Sequence, residues 1–193
     1  MKKIIVVTGL GDNGIATELA TRGWREEGYE PIVFVPEWEK EENIEKKIER
    51  LEKLVDKEKP KVILGISAGA SLALNVFVQN KDKVGKMVSV CGRLRFGWSE
   101  NVISRKLQEN TLKTKAFYES VELVETYISK LSEADKKRVL TFSSELGDEL
   151  IPIETSQLDG ATNIMIPIGG HLLTITAVLT KNFEEIKKFV EDN

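Results

Sequence analysis

The sequence holds one cysteine and one histidine in 193 residues. A single cysteine excludes an intramolecular disulfide and any cysteine-rich zinc site, and a single histidine excludes a multi-histidine metal centre within one chain. Charge of one sign is not in excess. The 28 Lys and Arg face 31 Asp and Glu, a net charge of −3, without the clustered basic surplus of a nucleic-acid-binding surface. Long hydrophobic runs are missing as well. The apolar segment after Met1-Lys2-Lys3 lasts only from Ile4 to Val7 before Thr8 and a glycine-rich loop, which predicts a first strand rather than a signal peptide. No stretch approaches the roughly 18 apolar residues of a membrane span. Together these absences predict a cytoplasmic protein that binds neither nucleic acid nor membrane. They also leave any imidazole chemistry to His171.

What is present alternates. Hydrophobic residues make up 41% of the chain, enough to bury a core, and the length suits one domain over residues 1–193. Short β-branched runs at Ile4–Val7, Pro31–Val35, Val62–Leu64, Lys86–Val90, Arg138–Phe142 and Asn163–Ile166 read as strands. Between them lie helical patterns. One runs to about Glu27 with Asp12 or Asn13 as its N-cap, one over Lys40–Lys57, and an unusually apolar one over Ala68–Gln79. The last covers Leu172–Glu191, with a break or kink near Lys181. Continuous apolar strands alternating with helices predict an α/β fold, a mostly parallel sheet of about six strands covered on both faces. Residues 93–137 break the rhythm. They are too long for one crossover, and Phe117, Val121, Val124, Ile128 and Leu131 form an amphipathic stripe within them. A crossover helix plus a small lid-like insert is expected there.

Three local signals carry chemistry. Gly65-Ile66-Ser67-Ala68-Gly69-Ala70 joins a strand to a helix, where small neighbours permit a tight turn that lifts the Ser67 hydroxyl above the sheet. The Ala68 N–H then lies at a helix start, suited to an oxyanion. Asp148 follows the fifth strand, at the carboxyl end from which a carboxylate can orient a histidine, with Glu145 and Glu149 as neighbouring acids. Ile168-Gly169-Gly170-His171 places the sole imidazole just after the sixth strand, on the edge where α/β sites form. Each signal alone has an ordinary structural explanation: a helix-capping serine, a turn aspartate, a surface or core histidine. In the order Ser67, Asp148, His171 they match the triad order of one hydrolase fold.

With these residues the chain resembles the α/β-hydrolases, in particular their small single-domain serine hydrolases, over nearly its whole length. The resemblance implies a three-layer sandwich with strand order 2-1-3-4-5-6, lacking the N-terminal antiparallel strands, with the insert after strand 4 where the family places its cap. It implies Ser67 as nucleophile, Asp148 as acid, His171 as base, and the N–H groups of Leu10 and Ala68 as oxyanion hole. Thr8 and Glu145 depart from the family pattern, standing where many members carry a histidine and a glycine. The implied activity is hydrolysis of a small ester, thioester or related acyl substrate through an acyl-enzyme, with no metal and no cofactor. Phe96, Trp98, Phe117 and Tyr118 are candidates for an apolar pocket beneath the insert, with core packing the alternative for Phe117. Arg93 and Arg95 are candidates to receive an acidic substrate group, with solvated charges or ion pairs the alternative.

Two other readings stay open at this stage. Gly9-Leu10-Gly11-Asp12-Asn13-Gly14 is a literal G-x-G-x-x-G between strand and helix, the pattern of a dinucleotide site. Asp12 would put negative charge beside a pyrophosphate, and Val35-Pro36-Glu37 is an imperfect ribose acid. The same fold also serves as a non-catalytic ligand-binding or interaction module. Cys91, after the fourth strand, reads as a small core residue.

Overall fold

The computed structural model describes residues 1–192. Its centre is a six-stranded, all-parallel sheet of β1 (Lys2–Val7), β2 (Tyr29–Phe34), β3 (Val62–Ile66), β4 (Lys86–Val90), β5 (Val139–Ser144) and β6 (Thr162–Ile166), in the order β2-β1-β3-β4-β5-β6. The β-branched runs form it because side chains alternate between two covered faces. In β1, Ile4 and Val6 join one core cluster and Ile5 and Val7 the other. Register pairs Ile5 with Ile32 on one side and with Ile63 on the other.

Each face is closed by helices. Beneath one pack α2 (Ile44–Glu58), α3 (Ala68–Gln79) and α5 (Lys115–Ile128), whose Leu51, Leu72, Phe77, Phe117, Val121 and Val124 share a cluster. The other face carries α1 (Ile15–Thr21), α8 (His171–Thr180) and α9 (Phe183–Glu191). There Trp24 stacks on Phe183 with ring centroids 4.3 Å apart and donates its indole N–H to the Leu179 carbonyl at 2.8 Å. Between β4 and β5 lie α4 (Val102–Thr111), α5 and the single turn α6 (Glu133–Lys136); α7 (Ile153–Ser156) precedes β6. No helix among the described residues is long and apolar enough to cross a membrane.

Three boundaries differ from those expected. The first helix is capped by Gly14 at φ 93° rather than by Asp12 or Asn13, and stops at Thr21 instead of near Glu27. A 3-10 turn over Arg22–Arg25 follows, turning Trp24 inward to Leu179 and Phe183, so tertiary packing overrides the helical pattern. The second helix starts at Ile44, because the Asn43 side chain accepts the Lys46 N–H and caps it there. The last helical segment, by contrast, breaks where expected, at Lys181-Asn182, into α8 and α9. Asn182 gives both its backbone and side-chain N–H groups to the Ala177 carbonyl, at 2.9 and 3.1 Å, and this ends α8.

Candidate active site

Four loops leave the carboxyl ends of β1, β3, β5 and β6 along one edge of the sheet, and each brings one of the residues singled out in the sequence. Ser67 occupies the joint between β3 and α3 at φ 52°, ψ −121°, a conformation ordinarily left to glycine. Its neighbours permit this turn by being small. A Cβ on Gly65 would lie 2.3 Å from the Ala70 Cα, and one on Gly69 would lie 2.3 Å from the Val7 carbonyl oxygen. The Ser67 N–H bonds back to the Val90 carbonyl of β4 at 2.9 Å, tying the turn to the sheet.

The Ser67 Oγ lies 2.9 Å from His171 Nε2, and His171 Nδ1 lies 2.7 Å from Asp148 Oδ2. The imidazole and the carboxylate are almost fully buried, with side-chain exposures of 3% and 5%. A buried carboxylate needs partners for both oxygens. Asp148 Oδ1 accepts the N–H groups of Leu150 at 2.8 Å and Ile151 at 2.9 Å, leaving Oδ2 to the histidine. With Oδ2 as acceptor, Nδ1 carries the ring proton, and Nε2 presents its lone pair to the Ser67 hydroxyl. Two further bonds fix the imidazole's backbone. The His171 N–H donates to Glu149 Oε2 at 3.0 Å, and the Gly170 N–H to the Gly147 carbonyl at 2.8 Å.

Ser67 and His171 sit in the wall of a cavity of about 490 Å³. Leu10, from the loop after β1, lines it beside Ser67; Ala68 is buried behind, and its N–H is one of the first-turn donors that a helix leaves without an internal partner. Of the residues considered for an apolar substrate pocket, the cavity meets only Phe117, which also packs edge-on against Trp38 in the core. Phe96 and Tyr118 lie against each other, centroids 4.9 Å apart, away from it. Trp98 is 41% exposed in a separate depression over Asp148 and Pro152. The cavity opens instead toward α1 and α8, past Ala16, Ala20, Leu172, Ile175 and Leu179, none of which stood out in the sequence. The one local hint was the pair of leucines directly after His171.

Arg93 corrects an expectation. Its side chain is fully buried rather than facing a substrate or solvent. The guanidinium donates to the carbonyls of Gly97 at 2.9 Å and Leu150 at 3.1 Å, so it braces the loop that carries Asp148. Burial lowers its pKa to about 10, while the negative charges of Asp148 and Glu154 work in the opposite direction. Arg95 donates to the Gln157 carbonyl at 3.1 Å. Among the described residues, one group offers metal-ligand atoms within 4.8 Å of one another: Cys91, Asp148 and His171. Its nitrogen and carboxylate oxygen already hydrogen-bond to each other, and burial followed by repulsion from Asp148 and Glu149 pushes the thiol pKa far up. Cys91 is therefore a protonated packing neighbour.

No protein-family model matches the sequence, and no curated protein does. Solved structures match throughout. The ydeN gene product of B. subtilis shares 12% identity at a TM-score of 0.69, with 100% of both chains covered. A hydrolase from Oleispira antarctica, olei00960, shares 14% at a TM-score of 0.68, covering 100% of this chain and 92% of its own. The thioesterase domain from the curacin biosynthetic pathway shares 10% at 0.64, with 99% and 91% covered. In strand order, layers and extent, this chain has the α/β-hydrolase fold.

Proposed function

We propose that the protein is a serine hydrolase that cleaves a small ester, thioester or related acyl substrate through an acyl-enzyme. One observation carries this reading: the unbroken hydrogen-bonded line from Ser67 Oγ through His171 to Asp148, with its serine end open to the cavity. In the proposed reaction His171 Nε2 takes the Ser67 proton as Oγ attacks the acyl carbonyl, and Asp148 stabilises the resulting imidazolium. The Leu10 and Ala68 N–H groups receive the oxyanion; one such donor typically contributes about 10²–10³ in turnover. His171 then returns its proton to the departing group, and a water it deprotonates releases the acid and restores the serine. The hydrolase from Oleispira antarctica and the curacin thioesterase domain, which share the fold, support the reaction class.

Against a dinucleotide site stands the loop Gly9–Gly14 itself. The Asp12 carboxylate accepts the Gly14 N–H at 2.7 Å and the Thr17 hydroxyl at 2.5 Å, so a negative charge already fills the helix start that a pyrophosphate would use. The test is hydrolysis of p-nitrophenyl acetate by the wild-type chain and Ser67→Ala. Turnover is expected in the first and its loss in the second, with an unchanged fold by circular dichroism. Retained hydrolysis in Ser67→Ala removes the proposed nucleophile.

A further inference from the structure

The cavity does not end at Ser67. From His171 it continues along the crevice between α1 and α8. One wall is a stripe of α8: Leu172, Ile175, Thr176 and Leu179 follow the i, i+3, i+4, i+7 spacing that places residues on a single helix face. On the facing wall, Ala16 and Ala20 stand one turn apart on α1 and project only methyl groups. These six side chains carry no charge. The ionisable groups of the lining are Asp12, Glu149 and His171; Asp12 is held at the start of α1 by the Gly14 N–H and the Thr17 hydroxyl, and Glu149 accepts the His171 N–H. Leu172, next to His171, is 73% exposed and offers apolar surface at the point where a ligand would pass from the reacting centre into the crevice. From Leu172 to Leu179 the groove runs for about 10 Å at 1.5 Å per residue. With C–C bonds of about 1.5 Å, that length takes roughly eight carbons of an extended chain.

We infer that this crevice binds an unbranched aliphatic chain of the substrate, about seven or eight carbons long, lying between α1 and α8 with its carbonyl end at Ser67. The inference rests on the serine-hydrolase reading. It puts the specificity-determining surface on the α1–α8 side rather than beneath residues 93–137. An acyl chain and the alkyl chain of a leaving alcohol share this chemistry, and two ester series separate them.

The test measures kcat/KM for p-nitrophenyl esters from acetyl to decanoyl, and for acetate esters of alcohols from ethanol to decanol. Thr176→Phe and Ala20→Phe are run beside the wild type. Thr176 is exposed, so its replacement fills the groove without displacing core side chains. A fluorophosphonate with short alkyl groups reports separately on Ser67. In the wild type, one series is expected to climb by about two- to fourfold per methylene up to about the octyl member. In both variants the octyl-to-short-chain ratio is expected to fall by about tenfold or more, with Ser67 still labelled. A flat profile in both series, or a wild-type profile kept by both labelled variants, overturns the groove and leaves the hydrolase standing. Absence of labelling in the wild type overturns the hydrolase reading and the groove with it.

Discussion

Asp148 divides its two oxygens between two tasks. Oδ2 lies 2.7 Å from His171 Nδ1, while Oδ1 is held by the N–H groups of Leu150 and Ile151. The carboxylate is thus aimed by the backbone of its own loop before it meets the imidazole, and Arg93 braces that loop through the Leu150 carbonyl.

This division makes Asp148→Asn informative. The amide keeps the shape of the side chain. An amide NH₂ turned toward His171, however, favours the tautomer with the proton on Nε2, where it cannot accept from Ser67. Turnover is expected to fall by about 10⁴-fold with little change in stability. Steady-state hydrolysis with a thermal melt checks both. A loss below tenfold contradicts the assigned role.

Ser67 carries the backbone cost of the turn. At φ 52°, ψ −121° a residue with a Cβ is strained by about 1–3 kcal/mol. Glycine relieves that strain and costs about 0.5–1 kcal/mol in chain entropy. Ser67→Gly is therefore expected to be more stable than Ser67→Ala by about 1 kcal/mol, both lacking activity. Urea denaturation of the two variants measures the difference. Equal stability, or a more stable alanine variant, contradicts a strained turn.

Cys91 offers a check on the interior of the site. Burial, reinforced by the nearby negative charges of Asp148 and Glu149, raises its pKa, so the thiol stays protonated where an exposed cysteine begins to ionise. Only the thiolate reacts readily. Iodoacetamide at mildly alkaline pH is expected to leave the native chain unmodified and to alkylate Cys91 fully in denaturant, read by intact mass. Rapid alkylation of the folded protein contradicts this environment.

Much of the architecture was legible because its signals are local. The β-branched runs mark the strands, small residues bracket Ser67 where β3 meets α3, and Gly169-Gly170 precede His171 at the end of β6. What was not legible depends on partners distant in the chain. Arg93 could be recognised as an unusual cation after β4, but its acceptor at Leu150 lies 57 residues on and is a backbone carbonyl, which no sequence pattern marks. The early end of α1 follows from Trp24 packing against Leu179 and Phe183. The groove is hidden for the same reason. Ala16 and Leu179 are ordinary helix residues from opposite ends of the sequence, and only the placement of α1 against α8 turns them into facing walls.

The most direct test of the central claim is the rate and site of covalent modification by a fluorophosphonate, located by peptide mass spectrometry in the wild-type and His171→Ala chains. With no second histidine in the sequence, no other imidazole of the same chain can take its place. The proposed pairing of Ser67 with His171 predicts one adduct on Ser67 in the wild type, and labelling at least about 10³-fold slower in His171→Ala. An adduct elsewhere, no adduct on the folded wild-type chain, or equal rates in the two proteins would contradict it.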